Sequence, residues 1–395
     1  MHLLSDSMAD NIGKGSMIRR MFEAGIALKK QYGEDAVCDF SLGNPDLPPP
    51  PAVAAGMREL AERLDQSFAL GYMPNAGYPW ARAALAGQLS KEQGVSLTQE
   101  DVILTCGAAG GLNVLFKAIL NPGDEVLSLM PYFVEYGFYV SNHGGVFRGV
   151  AAKPDTFAID FTALEAAITA RTKALIINSP NNPTGQIYSR EELRMLCELL
   201  GEKSRIFGRP IFLVVDEPYR FLAYDGIEVP PLLPMYAYAV VASSFSKSLS
   251  LPGERVGYLA LSPQLEGKAE LMAGLILANR ILGFVNPPVV GQYLMRAALG
   301  SQVDVAVYKR RRDAMAEVLR DAGYDFFMPK GAFYFFPKAP GGDDSAFVDK
   351  LAKELVLAVP GSAFAGRGYF RLAFCVDESV IYRAAPGLKK AIGSG

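Results

Sequence analysis

The sequence contains few histidines and few cysteines for its length. Among 395 residues there are two histidines, His2 and His143, and four cysteines. A Ser-His-Asp triad or a histidine-rich metal centre would therefore depend on His143 alone. The cysteines lie far apart and form no C-x-x-C pair, which argues against a disulfide framework or a zinc site. We expect reduced cysteines in a cytoplasmic protein, and any proton transfer must use another residue type.

Charge and hydropathy argue against two further classes of protein. Lys and Arg number 39 and Asp and Glu number 41, so the formal net charge is −2. Without a basic excess to neutralise a phosphate backbone, nucleic acid is not expected as a partner. The longest apolar runs, such as residues 211–215, are far shorter than a membrane span. The first sixteen residues carry acids and glycines where a secretion signal needs an apolar run.

From about residue 78, helical patterns alternate with short apolar segments. Helices are predicted near residues 78–93, 109–120, 132–142, 161–169 and 189–204, and strands at 102–105, 125–129, 173–178, 211–215, 238–243 and 256–261. Continuous apolar strands between helices are typical of a sheet that is covered on both faces and is mostly parallel. The sequence therefore predicts an α/β fold with a three-layer α/β/α large domain.

The pattern changes after the Asn-Pro-Pro turn at residues 286–288. A long helical stretch at 289–323, a glycine- and aromatic-rich strand at 331–337, a helix at 345–355 and a strand at 369–374 follow. We interpret residues 289–395 as a smaller α+β domain and residues 46–288 as the large domain. Residues 1–45, with a helix at 16–33, are expected to join the small domain. The proline-rich stretch at 44–51 cannot be regular structure and marks the crossing from the N-terminal segment into the large domain.

Polar clusters follow four of the predicted strands. They lie at residues 106–111, 179–185, 216–219 and 244–247. In open α/β sheets, ligands bind in the crevice at the carboxyl ends of the strands. Four separate clusters at such ends therefore predict one binding crevice.

Each cluster has a plain structural interpretation and a functional one. The glycine-rich turn at 107–111 is either a simple tight turn or a phosphate site at a helix N-terminus. Asp216 follows a buried strand, and its partner is either a backbone N–H or a protonated ring nitrogen. Lys247 is either a solvated lysine or a desolvated amine that forms imines with aldehydes. Ser244, Ser246 and Arg255 could then converge on one phosphate.

These residues match a known family. Ser244-Phe245-Ser246-Lys247, with Arg255 eight residues later, resembles the cofactor-lysine signature of the class I/II aminotransferases, which are fold-type I enzymes dependent on pyridoxal 5'-phosphate (PLP). Other segments match the same family in the same order: LGNPDL (42–47), GYMPNAGYPWAR (71–82), PYFVEY (131–136), NNPTG (181–185), DEPY (216–219), PKGAFYFFP (329–337) and FRLAF (370–374). The resemblance spans about residues 16–375, and its strength lies in the combination.

The resemblance implies roles for the residues around the cofactor. Lys247 would be the Schiff-base lysine and the proton carrier, and Asp216 the partner of the pyridine nitrogen. Tyr219 and Asn182 would donate hydrogen bonds to the phenolic oxygen of the ring. The phosphate cup would consist of Gly107, Ala108, Ala109, Ser244 and Arg255. Phe133 would stack on the ring.

The resemblance also implies how substrate and a second subunit are contacted. Arg371, with the backbone of Gly43 and with Asn182, would bind the substrate α-carboxylate, although an arginine on a surface edge strand is the plain alternative. Tyr72 would reach the phosphate of the neighbouring subunit in a homodimer, unless it is a core tyrosine. Asn286 would also approach that site. Two departures from the family pattern are the absence of Ser or Thr at 108–109 and a phenylalanine, which has no polar atom, at 133.

The activity implied is transfer of an amino group from an L-amino acid, aspartate or alanine first, to a 2-oxo acid such as 2-oxoglutarate. A carbon–sulfur β-lyase acting on cystathionine-like substrates uses the same lysine and cofactor and is the main alternative. A PLP-binding regulator would need a DNA-binding module, and an ordinary α/β binding protein would hold no coloured cofactor. An aspartate enzyme needs a second cation for the side-chain carboxylate, and the sequence does not select among the candidates Arg19, Arg20, Arg148 and Arg280.

Overall fold

The computed structural model describes residues 3–14 and 16–393, without the side chains of residues 7, 10, 13–14 and 16–22. The helices in this described part are α1 (Asp6–Lys14), α2 (Ser16–Tyr32), α3 (Pro51–Ala61), α4 (Pro79–Gln93), α5 (Gly107–Ile119), α6 (Glu135–Ser141), α7 (Phe161–Ala167), α8 (Arg190–Phe207), α9 (Phe245–Ser248), α10 (Lys268–Ile281), α11 (Val289–Ala298), α12 (Val305–Ala322), α13 (Asp344–Lys353) and α14 (Glu378–Gly393). None of these helices is long and apolar enough to cross a membrane.

Most strands fall where apolar or aromatic segments predict them. They are β1 (Cys38–Asp39), β2 (Val102–Cys106), β3 (Glu125–Met130), β4 (Val146–Ala151), β5 (Thr172–Asn178), β6 (Phe212–Asp216), β7 (Ala239–Ser244), β8 (Val256–Leu261), β9 (Tyr334–Phe335), β10 (Val356–Leu357), β11 (Val359–Pro360) and β12 (Phe370–Ala373). The strand β4 was not predicted, because it lies at the edge of its sheet and four of its six residues are exposed.

The large sheet has seven strands in the order β2-β8-β7-β6-β5-β3-β4. Only β8 runs antiparallel to its neighbours β2 and β7, while the pairs from β7 to β4 are parallel. The prediction of a mostly parallel sheet is therefore confirmed.

Both faces of this sheet are buried, because successive residues of a strand point to opposite sides. Leu104 and Leu127 belong to a core on one face, which includes side chains from α4 and α8. Ile103 and Val126 belong to a core on the other face, which includes side chains from α5 and α10. The three-layer α/β/α architecture follows, as the sequence predicts.

Local sequence explains where helices begin. Ser189 caps α8, since its hydroxyl accepts from the backbone N–H of Glu192 and the Glu192 carboxylate accepts from the backbone N–H of Ser189. Pro51 occupies the first position of α3, where its missing N–H costs no helical hydrogen bond. The proline-rich stretch is therefore irregular only up to residue 50, and a helix starts at its last proline.

The C-terminal part contains a second core. Strands β11, β12 and β9 form an antiparallel sheet, whose Phe335 and Phe370 pack with buried residues of α12, α13 and α14. The N-terminal strand β1 pairs in parallel with β10, placing Cys38 beside Val356. This pairing brings the N-terminal segment to the C-terminal part of the chain.

The long helical stretch predicted over residues 289–323 is not continuous. Two helices, α11 and α12, are separated at residues 299–304, where Gly300 adopts a left-handed φ of 82°. Helix α11 packs on α3, and its Leu294 joins a core with Val53 and Leu251. The domain limits stay predictions, and we propose that the small domain begins after residue 298 rather than at 289.

Candidate active site

A cavity of about 430 Å³ lies at the carboxyl ends of β5, β6 and β7, where residues of β9 and β12 also line it. Twelve of the residues singled out in the sequence line this cavity: Gly43, Ala108, Ala109, Phe133, Asn182, Asp216, Tyr219, Ser244, Ser246, Lys247, Arg255 and Arg371. The fold thus brings together segments that are more than 300 residues apart in the chain.

Lys247 lies in the short helix α9, three residues after the end of β7. Its ammonium group donates a hydrogen bond of 2.6 Å to the backbone carbonyl of Gly43. Burial lowers the pKa of Lys247 to about 8, and the nearby charges of Arg371 and Arg255 act in the same direction. A lysine with this pKa has a useful fraction of unprotonated amine near neutral pH, as a nucleophile or a base requires.

Asp216 is the last residue of β6 and is buried. Its Oδ2 accepts a hydrogen bond of 2.6 Å from the Tyr136 hydroxyl, whereas its Oδ1 has no hydrogen-bond partner. Burial raises the pKa of Asp216 to about 7. A buried carboxyl oxygen without a partner is costly and suits a ligand that brings a proton donor.

Arg371 on β12 is buried and only partly satisfied. Its guanidinium donates to the Asn182 side-chain oxygen at 3.1 Å and to the backbone carbonyl of Ser41 at 2.6 Å. Its Nε–H has no hydrogen-bond partner. Because a guanidinium binds carboxylates through paired donors, this side chain can hold a substrate carboxylate in the cavity.

Asn178, at the end of β5, orders the two neighbouring segments. Its amide nitrogen donates to the backbone carbonyl of Asp216 at 2.7 Å, and its oxygen accepts from the backbone N–H of Asn182 at 2.6 Å. Tyr219 is buried beside these residues, with its hydroxyl oxygen 2.7 Å from that of Tyr334. Asn178 therefore fixes the backbone positions of Asp216 and Asn182 and leaves their side chains available for other contacts.

The start of α5 and Arg255 together have the features of an anion site. Gly107 has a φ of 71°, and a Cβ added to it would lie 2.6 Å from Nη2 of Arg255, so the glycine permits this close approach. Ala108 and Ala109, in the first turn of α5, line the cavity together with Ser244. Free backbone N–H groups at a helix N-terminus and a guanidinium are what a phosphate requires.

Helix α6 and the residues before it form another wall of the cavity. Phe133 packs edge-to-face on Tyr136, with 5.6 Å between the ring centroids. Glu135 and Tyr139 also line the cavity. Burial raises the pKa of Glu135, and no hydrogen bond or ion pair joins its carboxyl group to another described side chain. This wall therefore carries an acid that the sequence did not single out.

Several residues with predicted roles lie outside the cavity lining. Tyr72 is 93% exposed, and the backbone of Asn286 lies beside Cys106. Arg148 pairs with Glu125 at 3.3 Å, and Arg280 is exposed on α10. The side chains of Arg19 and Arg20 lie outside the described residues.

Five residues that shape the site were missed in the sequence: Ser41, Glu135, Tyr136, Asn178 and Tyr334. Asn178 could have been found, because it is a polar residue at the end of an apolar strand. Tyr136 lies three residues after Phe133, at helical spacing, which was a weaker signal. Tyr334 lies in an aromatic strand that resembles plain core, so no signal distinguished it.

The chemistry of these groups fits PLP. The unpartnered Oδ1 of Asp216 can accept from a protonated ring nitrogen, and the amine of Lys247 can bond to an aldehyde. The N-terminus of α5 and Arg255 can hold the phosphate. Arg371 is not needed to hold PLP and can bind the carboxylate of a substrate.

Comparisons with known proteins agree with this fit. The family model for aminotransferase class I and II matches residues 35–388. The aspartate/prephenate aminotransferase of Thermus thermophilus is 35% identical over 381 residues, covering 93% of this chain and 94% of that protein. A solved amino transferase structure from Eubacterium rectale has a TM-score of 0.95 and 39% identity, covering 100% of this chain and 99% of that chain. The structure of the Thermus thermophilus aspartate aminotransferase with maleate has a TM-score of 0.86 and 30% identity, with 99% and 100% coverage. The chain therefore belongs to the class I and II aminotransferases and is a PLP-dependent transaminase.

Proposed function

We propose that this transaminase moves the amino group of L-aspartate to a 2-oxo acid such as 2-oxoglutarate. The observation that carries transfer from an α-amino acid is the buried, partly satisfied Arg371 in the same cavity as the Lys247 amine. Relatives named aspartate aminotransferase, such as the Thermotoga maritima protein at 34% identity over 94% of this chain and 95% of that protein, support aspartate as donor. We do not propose the β-lyase alternative, because no observation at the site favours it.

PLP, when bound, supplies an aldehyde that bonds to amino groups and a ring that accepts electrons from the broken Cα–H bond. In the proposed reaction Arg371 binds the α-carboxylate and orients the Cα–H bond. With PLP bound, the amine of Lys247 would take the α-proton of the substrate and return it to the C4′ carbon of the cofactor. Asp216 would hold a proton at the ring nitrogen, and Tyr219 and Asn182 would donate to the phenolic oxygen. The two half-reactions predict ping-pong kinetics.

L-Alanine is the second candidate donor, and Glu135 favours it. Aspartate brings a second carboxylate, which needs a cation of its own. Among the described side chains, the cations that line the cavity are Lys247, Arg255 and Arg371, each with a proposed role. Glu135 in the same wall would repel a second carboxylate when it is ionised.

Replacing Arg371 by alanine should weaken every amino acid substrate alike. Loss of a buried charged partner costs enough to raise KM roughly 30- to 100-fold for aspartate and alanine, since both have the α-carboxylate. The measurement is the single-turnover release of oxo acid without an acceptor, followed as a function of the concentration of each amino acid, in the wild type and in Arg371→Ala. Release of one oxo acid per subunit is expected only from true donors, so the same assay ranks aspartate against alanine.

Arg367→Ala is the matched control, because Arg367 is exposed four residues earlier in the chain. It should leave both KM values unchanged. A variant Arg371→Ala that bound PLP and kept the wild-type KM for both amino acids would contradict the role of this arginine.

We also propose that the protein is a homodimer in which Tyr72 reaches the phosphate in the neighbouring subunit. In the single chain Tyr72 is 93% exposed, and Phe68, close to it in sequence, is 90% exposed. Leu64 and Leu70, in the same stretch of chain, are also exposed, and a group of exposed apolar side chains is typical of an interface. A second copy would bury them.

Co-expression of Tyr72→Phe and Lys247→Ala chains should restore activity through hybrid dimers. Tyr72→Phe alone should bind PLP about 10- to 100-fold more weakly, since a hydrogen bond to a charged group is lost. In the hybrid, one site combines an intact Lys247 with an intact Tyr72 from the other chain. Activity of the purified hybrid near half of the wild type is expected, and a hybrid no more active than the mean of its parents would refute the shared site.

The cysteines support a reducing compartment. All four, Cys38, Cys106, Cys197 and Cys375, are free. Disulfides form mainly in oxidising compartments. We propose that the protein works in the cytoplasm.

A further inference from the structure

The Tyr334 side chain lies against the cofactor side of the cavity without a role in the reaction described above. It is on β9 and is 2% exposed, and it lines the cavity. Its hydroxyl oxygen lies 2.7 Å from that of Tyr219, and the two rings meet edge-on with 5.7 Å between centroids. The distance requires one hydroxyl to donate to the other.

The hydrogen bond between the two hydroxyls can run in either direction. Burial raises the pKa of both phenols, that of Tyr334 to about 12, so both are protonated near neutral pH. Each hydroxyl has one proton to donate. If Tyr334 donates to Tyr219, the proton of Tyr219 is free to point into the cavity. If Tyr219 donates to Tyr334, Tyr219 can only accept from a ligand.

The same ring also contacts the substrate side of the cavity. The guanidinium carbon of Arg371 lies 4.8 Å from the ring centroid of Tyr334. A Cβ added to Gly43 would lie 2.1 Å from the Tyr334 hydroxyl oxygen, so the backbone that accepts from Lys247 passes directly over this hydroxyl. Tyr334 therefore contacts groups on both the cofactor side and the substrate side.

We propose that Tyr334 is a positioning residue that donates its hydroxyl proton to Tyr219 and so directs the Tyr219 proton to the phenolic oxygen of PLP. Its ring separately supports the guanidinium of Arg371. The inference rests on the predicted role of Tyr219 in this transaminase. The hydroxyl and the ring have separate functions, so they can be tested by separate substitutions.

The hydroxyl is tested by Tyr334→Phe, which keeps the ring. The readout is the pH at which the absorbance of the bound cofactor changes, measured in the absence of substrate. Loss of a donor to the phenolic oxygen raises this pH, because that oxygen then holds a nearby proton more tightly. We expect Tyr219→Phe to raise it, and Tyr334→Phe to raise it less, by about half to one pH unit, as for one neutral hydrogen bond. The KM for amino acids should stay within about twofold.

A double substitution separates positioning from an independent effect. Because Tyr334 acts through Tyr219, Tyr219→Phe/Tyr334→Phe should shift the titration no further than Tyr219→Phe alone. An additive shift, or no shift in Tyr334→Phe, would overturn the proposal while leaving the role of Tyr219 intact. No shift in Tyr219→Phe would overturn the role of Tyr219 and the proposal with it.

Tyr324→Phe is the matched control. Tyr324 is another buried tyrosine of the C-terminal part, and its hydroxyl donates to the backbone carbonyl of Leu388 at 2.9 Å. Its loss should lower the melting temperature as Tyr334→Phe does but leave the titration unchanged. Tyr334→Leu removes the ring as well, and it should raise the KM for amino acids about tenfold beyond Tyr334→Phe through Arg371. An equal KM in the two variants would contradict the role of the ring.

Discussion

Replacing Lys247 by alanine should lower kcat roughly 10⁴-fold, the largest loss expected from any single substitution in this chain. A positioned general base contributes up to about 10⁴-fold, and the same amine also bonds to the cofactor. The fold should persist, because Lys247 makes one side-chain hydrogen bond, to the carbonyl of Gly43. PLP should still bind through the phosphate site and Asp216, but without a covalent bond to the chain.

Borohydride treatment of the PLP-loaded proteins measures this bond directly. Reduction should fix the cofactor to the wild-type chain, as an added mass that survives denaturation, and should leave Lys247→Ala unlabelled. Lys91→Ala on the exposed side of α4 is the control and should behave as the wild type. Labelling of the Lys247→Ala chain at another lysine would show that the wrong residue has been assigned.

The central sheet could be predicted because its strands are continuous apolar runs between helices. Segments such as 125–129 and 256–261 have no exposed face. Strands buried on both faces are typical of a mostly parallel sheet that lies between two layers of helices. The edge strand β4 lacks this signal, because four of its six residues are exposed. The division between α11 and α12 was missed because Gly300 and its neighbours interrupt the helical pattern for only six residues.

The candidate site could be predicted only in part. The sequence shows which residues follow strands, but not which side chains of other elements point toward them. Lys247, Asp216 and Asn182 follow strands, and a parallel sheet brings the ends of its strands to one edge. Tyr334 comes from the other sheet, and nothing in a single sequence indicates which aromatic residue of that sheet reaches the cavity. The partner hydroxyl of Tyr136 likewise depends on how α6 packs over β6. Such contacts are set by tertiary packing.

Replacing Asp216 by asparagine should lower kcat about 10²- to 10³-fold while sparing cofactor attachment. The variant keeps the shape of the side chain and an oxygen for the Tyr136 hydroxyl. It loses the negative charge that holds a proton on the ring nitrogen, and removing one preorganised electrostatic group typically costs this much. The measurement is kcat together with borohydride labelling, and Asp65→Asn on the exposed surface is the control. Full activity in Asp216→Asn would refute the assignment.

The same substitution should have the opposite effect on the stability of the cofactor-free protein. Burial raises the pKa of Asp216 from 3.8 to about 7, so the folded chain retains a proton that the unfolded chain releases above about pH 4. Wild-type stability should therefore fall as the pH rises from about 4 to 7, by up to roughly 4 kcal/mol.

Asparagine does not titrate, so cofactor-free Asp216→Asn should melt a few degrees above the wild type at pH 8 and at the same temperature near pH 4. With PLP bound, the wild type should melt above the variant at pH 8, because the ionised carboxylate then has the protonated ring nitrogen as its partner. Melting curves of both proteins with and without PLP measure this reversal. If the cofactor-free wild type were more stable than the cofactor-free variant at pH 8, burial would not raise the pKa of Asp216 in the folded chain.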